Sequence, residues 1–251
     1  MRKNSLFVAI LGASILMSNS QNAFSQAVAD EKKFEAGAQF VLLNQTVGQA
    51  TFTGIACVTV PCPSFVPSNE RNWHPGFGGR FGYNVTNSVA FEAELNFFPG
   101  AGSFKVPDAF KGGHEIEGLF GVKAGKHFDK VGIFGKVRPG FLHASKGDIR
   151  PRSNVACIAI TILPPPIGCF ETTSTNSFAF DLGGVVEVYP TKRMLIRFDA
   201  GDTLVRLRER TVPGVFNPGP LVLAPSFLTI VRVPADTTHN FQASLGVGFR
   251  F

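Results

Sequence analysis

Acidic and basic side chains recur at alternate positions along several segments of this chain. The clearest cases are three pairs: Glu92 with Glu94, Glu115 with Glu117, and Lys136 with Arg138. Two neighbouring carboxyls can act as general acid and general base, which is the chemistry this spacing first suggests. A basic pair at the same spacing favours structural ion pairing instead. We therefore expect no enzymatic activity from these residues.

The three pairs belong to a larger charged face that is interspersed with glycine, and apolar residues fill the opposite face. Glycine makes a poor solvent-facing surface for a strand but leaves room where long charged side chains crowd a narrow interior. We predict that this face points inward as a salt-bridge network, because buried charges are tolerated when they are paired. The opposite possibility is a soluble ligand carrier with its apolar face inward. The predicted lumen network comprises Glu35, Arg80, Glu92, Glu94, Glu115, Glu117, Lys123, Lys136, Arg138, Asp181, Glu187, Arg197, Asp199 and Arg250.

Among the five histidines, only His143 has a serine and an acid nearby, at Ser145 and Asp148. Serine, histidine and an acid together can support nucleophilic catalysis. Residues so close on one strand need not face one another, and the trio is equally compatible with an ordinary loop entry. The other histidines, near predicted strand ends and turns, are His74, His114, His127 and His239. We predict no catalytic residue.

Four cysteines fall in two of the predicted long connections. Export to an oxidising compartment would convert paired thiols to disulfides, and four cysteines allow three connectivities. Proximity in sequence favours Cys57 with Cys62 and Cys157 with Cys169. The spacing lacks a paired short Cys motif and has no histidine cluster nearby, so we predict neither a metal site nor a cofactor.

The formal net charge of +6 comes from dispersed basic residues and includes two at the amino terminus. A nucleic-acid partner is therefore not expected. The amino terminus has Arg2 and Lys3, an apolar run at residues 6–17, and a small, polar stretch at residues 18–29. This pattern predicts a signal peptide over residues 1–27, with cleavage after residue 25, 27 or 29, and a barrel domain over residues 28–251.

Segments of alternating apolar and polar residues predict eight strands, each about ten residues or longer. Their approximate ranges are 33–43, 75–84, 88–98, 113–126, 130–143, 176–189, 192–203 and 238–251. Short connections run through residues 84–87, 127–130 and 190–191, and long ones cover 44–74, 99–112, 144–175 and 204–237. This alternation predicts an all-β, eight-stranded antiparallel up-and-down transmembrane barrel, with its termini and short turns on the periplasmic side.

The last predicted strand alternates strictly to its final residue. A polar residue, Ser244, is followed by a glycine two positions later, at Gly246. Aromatic residues follow five and seven positions after Ser244, at Phe249 and Phe251. This pattern resembles the terminal signal that bacterial outer-membrane barrels present to the barrel-assembly machinery. The alternative is an ordinary edge strand.

From about Lys32 to Phe251 the chain resembles small outer-membrane barrels of the OmpA and OmpX type, often called porin-family proteins. The resemblance rests on the strand–turn–strand run 80–98, the Gly-rich run 117–142 and the terminal strand. It implies a Gram-negative-type outer membrane and a lipid partner. No peptidoglycan-binding segment follows Phe251, so anchoring through such a domain is not expected.

We expect a structural or surface-interaction role, with loops 44–74, 144–175 and 204–237 as candidate contacts for an external ligand. A small passive pore is the main alternative, and a lipid-active enzyme using His143 and Ser145 is the other. An ion-paired interior requires that each of four glutamates faces a cation: Glu92, Glu94, Glu115 and Glu117 would face Arg80, Lys123, Lys136, Arg138 or Arg197.

The apolar stretch 212–233 is expected to extend the barrel strands in part, and the remainder to form a contact surface. Arg206, Arg208 and Arg210 are expected near anionic lipid headgroups.

Overall fold

A computed structural model describes residues 32–46, 49–53, 66–68, 71–100, 112–153, 170–217 and 227–251. The predicted signal peptide and the four cysteines lie outside these ranges. No helix in the described part of the chain is long and apolar enough to cross a membrane.

Eight strands form a closed antiparallel barrel, as predicted. The bounds are β1 Phe34–Thr46, β4 Arg71–Asn84, β5 Val89–Pro99, β6 His114–His127, β7 Val131–Pro151, β8 Phe170–Val188, β9 Met194–Leu207 and β12 Asp236–Arg250. Around the barrel their order is β1, β12, β9, β8, β7, β6, β5 and β4, and β4 pairs again with β1.

Side-chain alternation determines which face of each strand points inward. Along β5, Glu92, Glu94 and Asn96 are buried in the lumen, whereas Phe91 and Leu95 are exposed on the outer surface. The period of two places every second residue on the same face, so one strand serves both surfaces. The soluble-carrier alternative, with Phe inward and charges outward, is therefore wrong.

The third long connection is shorter than predicted, because β7 and β8 continue pairing as far as Pro151 and Phe170. The prediction ended β7 at residue 143 because a β-bulge between Ala144 and Asp148 shifts the register there. Between these residues β7 advances by four positions and β8 by two, and the buried positions of β7 change from Leu142 and Ala144 to Ile149. This break in the period-two alternation hides the continuing strand from a pattern search.

Four strands outside the barrel form a second sheet. These are β2 Gln49–Thr53, β3 Val66–Ser68, β10 Arg210–Asn217 and β11 Phe227–Val233, in the order β11, β10, β2, β3. The β10–β2 pair is parallel and the other two pairs are antiparallel. The register of this sheet continues that of the barrel, since Leu207 pairs with Asp236 at the end of the β9–β12 ladder and Arg210 pairs with Val233 at the start of the β10–β11 ladder. The prediction that residues 212–233 in part extend the barrel strands is therefore confirmed for their described parts, and β10 also pairs with β2 from the first long connection.

Threonine hydroxyls cap two of the short turns in the same way. Thr86 Oγ1 accepts hydrogen bonds from the backbone N–H groups of Ser88 and Val89, at 3.1 and 3.0 Å. Thr191 Oγ1 accepts from the N–H groups of Arg193 and Met194, at 3.3 and 3.0 Å. Local hydroxyl acceptors of this kind favour tight turns over continued strand.

Candidate functional site

The lumen is the candidate site because the fully buried charged side chains of the described barrel all lie there. Arg138, Arg197, Asp181 and Glu187 all have a relative exposure of 0%. Each comes from the inward face of its strand, at positions set by the alternation described above.

Arg197 on β9 is at the centre of the network. Its Nη2 lies 2.9 Å from Glu92 Oε2 and 2.9 Å from Asp199 Oδ2, while Nη1 contacts Glu92 Oε1 and lies 3.2 Å from Glu187 Oε1. A planar guanidinium with several donors suits such a set of carboxylates. One cation therefore joins three acidic side chains.

Lys123 on β6 faces the same carboxylates from another wall. Its Nζ lies 2.7 Å from Glu187 Oε1 and 3.5 Å from Glu92 Oε1. It also lies 4.6 Å from the centre of the Phe134 ring, so the ammonium is held between acids and an aromatic face. Tyr189 completes this group by donating to Glu187 Oε2 at 2.6 Å.

A second group centres on Arg138 and Lys136 of β7. Arg138 Nε and Nη2 lie 2.8 and 2.7 Å from Asp181 Oδ2, and its Nη1 contacts Glu94. Lys136 Nζ lies 2.9 Å from Asp181 Oδ2 and also contacts Asp199. Because Asp199 also bonds Arg197, the two groups form one continuous network.

Glu35 brings the network to the seam where β1 meets β12. Its Oε1 lies 3.1 Å from Arg250 Nε and accepts a hydrogen bond from Asn84 Nδ2 at 2.9 Å, while Oε2 lies 3.5 Å from Lys123. Arg250 also lies 4.9 Å from the centre of the Tyr189 ring. The first and last barrel strands are thus joined by side chains as well as backbone.

Toward the long-loop end the lumen changes from ionic to amide chemistry. Asn96 Nδ2 donates to Glu117 Oε2 at 2.8 Å, Gln242 Nε2 donates to the same oxygen at 3.0 Å, and Gln39 Nε2 donates to Asn96 Oδ1 at 2.9 Å. Gly78 leaves the space that Asn96 occupies, since a Cβ there would meet the Asn96 amide oxygen.

Three members of the predicted network have no ion-pair partner among the described residues: Arg80, Glu115 and Glu117. All three are buried, and Glu115 Oε2 and Glu117 Oε1 have no hydrogen-bond partner there either. The expectation that all four glutamates face a cation is thus wrong for Glu115 and Glu117. The described hydrogen-bond partners of these two are amides: Gln45 for Glu115, and Asn96 and Gln242 for Glu117.

Apolar clusters fill the lumen beside this amide layer. Val41, Leu43 and Phe98 form one, with exposures of 1% or less. Leu119, Leu142, Ala179 and Val205 form another, against which Leu207 packs. Buried apolar side chains in contact with one another leave little room for water.

The outer surface of the barrel is covered by large apolar side chains. Phe249 is 61% exposed, Trp73 55% and Phe120 58%. Contiguous exposed apolar surface on this scale marks a surface that meets lipid or another protein.

His143, Ser145 and Asp148 have different partners. His143 Nδ1 lies 2.6 Å from Asn176 Oδ1. Ser145 Oγ accepts a hydrogen bond of 2.8 Å from the backbone N–H of His114. Asp148 accepts from the backbone N–H groups of Ile149 and Thr211, at 3.0 and 2.8 Å. No hydrogen bond joins the three within the described residues, so the geometry gives no support to the enzyme alternative.

The predicted terminal signal lies on β12 and at the residue after it. Ser244 and Gly246 face the lumen side, and Phe249 and Phe251 face outward. Phe34 and Phe251 exchange backbone hydrogen bonds of 2.9 Å in both directions, and their rings stack at 6.0 Å.

Several lumen residues were missed by a search for charge. These are Gln39, Asn84, Asn96, Tyr189, Thr203 and Gln242. All except Tyr189, which follows β8, lie within barrel strands at inward positions, so the alternation would have found them. Among the described residues, no group of three or more His, Cys, Asp or Glu side chains is arranged to hold a metal ion.

Together these features define an eight-stranded antiparallel barrel with a charged, filled interior and an apolar exterior. The expected architecture, that of the OmpA and OmpX type, is thereby confirmed at the level of the fold. The sequence matches no protein-family model and no curated protein.

Solved structures with a similar fold include three small barrels. Neisserial surface protein A has a TM-score of 0.43 and 12% identity, covering 87% of this chain and 97% of its own. Ail, the attachment invasion locus protein of Yersinia pestis, has a TM-score of 0.41 and 13% identity, and the match covers 87% of this chain and 99% of Ail. The N-terminal β-barrel domain of Pseudomonas aeruginosa OprF has a TM-score of 0.36 and 11% identity, and the match covers 86% of this chain and 97% of that domain. These likenesses are weak, so the fold assignment rests on the strand pairing.

Proposed function

We propose that the protein is a bacterial outer-membrane barrel that holds its long connections at the cell surface and does not conduct. The observation that carries the proposal is its inverted polarity: charged groups are buried inside, and large apolar side chains cover the outside. In water this arrangement would expose an extensive apolar surface, whereas in a bilayer the same surface contacts the lipid chains. Closure of the sheet also satisfies every strand edge, as a bilayer requires.

The filled lumen supports a structural role over a passive pore. A pore needs a continuous water path, but the ionic network and the two apolar clusters occupy the interior with almost no exposed surface. An eight-stranded barrel has an interior that side chains can fill. The pore alternative therefore has no supporting observation in the described lumen.

The loop regions are the proposed contact surface for an external ligand. The sheet of β2, β3, β10 and β11 is built from the first and last long connections, which gives these segments a backbone framework of their own. In the proposal, disulfides Cys57–Cys62 and Cys157–Cys169 restrain two of the connections, and residues 1–27 direct export. Non-reducing peptide mapping tests the disulfides, and cross-loop pairs or free thiols would refute the within-loop pairing.

Lipid contact can be measured with the single tryptophan of the chain. Trp73 is outward-facing and packs edge-on to Phe241 at 6.1 Å. We expect brominated acyl chains to quench its fluorescence after refolding into vesicles. The matched control is the double variant Trp73→Phe/Phe134→Trp, because position 134 is buried in the lumen. Equal quenching of both proteins would refute the proposed orientation of the barrel.

A further inference from the structure

The short-turn end of the barrel has a marked excess of positive charge. We call its cations the basic rim: Lys32, Lys33, Lys126, Lys130, Lys192 and Arg193. All are exposed except Lys32, which is half-buried. Within the described turns and strand ends at this level, Asp129 is the one exposed acidic side chain. Such an excess attracts anions.

The basic rim follows the barrel wall as an arc. Lys32 and Lys33 precede β1, Lys192 and Arg193 precede β9, Lys130 precedes β7, and Lys126 lies near the end of β6. In the closed order these strands are separated only by β12 and β8. The remaining turn, between β4 and β5, contains Val85, Thr86, Asn87 and Ser88 and has no charge. The cations of the basic rim therefore extend around six of the eight barrel strands and leave only the β4–β5 turn without charge.

No cation of the basic rim has an ion-pair partner among the described residues. At the opposite end of the barrel three cations do have such partners, since Arg150 lies 3.3 Å from Asp148, Arg152 lies 4.0 Å from Glu171, and Arg232 contacts Glu209. Other exposed cations of that end have no ion pair among the described residues: Arg71, Arg206 and Arg208. Paired cations have much of their charge neutralised within the protein, whereas unpaired ones leave it available to a partner.

Aromatic side chains place the basic rim at a particular depth. Phe34, Tyr83, Phe128, Phe249 and Phe251 are exposed at this end of the barrel. Lys126 Nζ lies 5.5 Å from the centre of the Phe128 ring, with its stem along the outer face. Aromatic belts lie at the level of lipid headgroups, and lysines near them extend to the interface.

We propose that the basic rim binds the phosphate groups of anionic phospholipids in the leaflet at the short-turn end. This inference rests on the proposed function, because it requires a membrane-embedded barrel. Lipid is favoured over a soluble polyanion because the arc is adjacent to the aromatic belt, at the depth where phosphates lie. Because the basic rim has, among the described residues, six cations without ion pairs and one exposed acid, it is expected to retain anionic lipid in preference to neutral lipid.

Native mass spectrometry of protein released from vesicles of phosphatidylcholine and phosphatidylglycerol tests the proposal. The rim variant replaces Lys33, Lys130, Lys192 and Arg193 with Gln. The control variant replaces four cations of the opposite end, Arg71, Arg150, Arg152 and Arg232, with Gln, and three of these have acidic partners. We expect the rim variant to retain at least about fivefold less phosphatidylglycerol than wild type, since each basic residue near an anionic surface contributes measurably to binding. The control should retain it as wild type does.

The experiment distinguishes a failure of the lipid-binding inference from a failure of the proposed function. Insertion into vesicles with equal phosphatidylglycerol retention by wild type and rim variant would overturn the inference alone. An equal loss in both variants would also overturn it, because the preference would then be unspecific. Failure of the wild-type chain to insert would overturn the proposed function and the inference with it.

Discussion

Arg197 and Glu92 span the full diameter of the barrel. They lie 105 positions apart in the chain, and their strands, β9 and β5, are separated by three others in either direction around the closed sheet. Two guanidinium nitrogens contact the two carboxylate oxygens, one of them at 2.9 Å. A two-point contact across a narrow interior joins opposite walls and fixes their relative position.

Replacement of Arg197 by Met should destabilise the barrel strongly. The variant leaves Glu92 and Asp199 buried without their shared guanidinium, and breaking a buried pair costs about 3–5 kcal/mol. Urea unfolding in vesicles, followed by Trp73 fluorescence, measures the change. Arg71→Met is the control: Arg71 is exposed, lies outside the basic rim and has no ion-pair partner among the described residues, so the unfolding midpoint of this variant should stay near wild type.

The double variant Arg197→Met/Glu92→Gln separates pairing from packing. Removing both charges should recover part of the loss, because the carboxylate is no longer left uncompensated. If the double variant loses as much free energy of unfolding as the two single variants together, direct coupling between these residues is contradicted.

Glu117 and Glu94 should respond oppositely to the same chemical change. Glu94→Gln removes the carboxylate that contacts Arg138, so we expect a loss of about 2 kcal/mol or more. Glu117 has no cationic partner among the described residues, and Glu117→Gln should be neutral or stabilising because it removes an unpaired buried carboxyl. Unfolding curves recorded side by side give the comparison. A larger loss for Glu117→Gln would show that the carboxylate has a partner not seen in the lumen.

Gly121 lies on β6 directly against the backbone of β7, beside the ionic network. A Cβ at this position would meet the carbonyl oxygen of Val137 and lie 2.7 Å from Arg138 Cα, both backbone atoms that have little freedom to move. Gly121→Ala should therefore destabilise the barrel by about 1–3 kcal/mol. At Gly135, on the outer face, the nearest atom to an added methyl group would be 3.9 Å away, so Gly135→Ala should have little effect. Similar losses in the two variants would contradict this account.

Phe251 and Phe241 offer a matched test of the predicted assembly signal. Both are exposed on the outer face at the last strand, but only Phe251 belongs to the predicted signal. We expect Phe251→Ala to reduce the amount of folded protein in the outer-membrane fraction of cells more than Phe241→Ala does. The refolding yields of the two purified variants should differ much less than their amounts in the outer-membrane fraction. Equal reductions in cells would indicate a general loss of apolar surface.

The barrel is largely predictable from the sequence because its two environments alternate with the period of the strand. The charges of β5 and the terminal alternation of β12 are examples: Glu92 and Glu94 face inward between the outward-facing Phe91 and Leu95, and Gln242 faces inward beside the outward-facing Phe241. Where both faces meet the same environment, as in the Thr- and Ser-rich start of β8, alternation is lost and the strand end is missed.

Other features depend on contacts that a pattern cannot encode. The parallel pairing of β10 with β2 joins segments about 160 residues apart, and local composition does not specify such a partner. The lack of a cation near Glu117 among the described residues likewise depends on strand register, which sets Asn96 opposite it on β5 and Leu142 opposite it on β7. The charged face was visible in the sequence, but its division into an ionic and an amide layer was not.

Planar-bilayer recording of the purified, refolded protein tests the closed-lumen account most directly. The account predicts no steady current above that of the bare bilayer, because ion-paired and apolar side chains fill the interior. Reproducible conductance steps from the wild-type protein that change in size when Arg138 is replaced would contradict it.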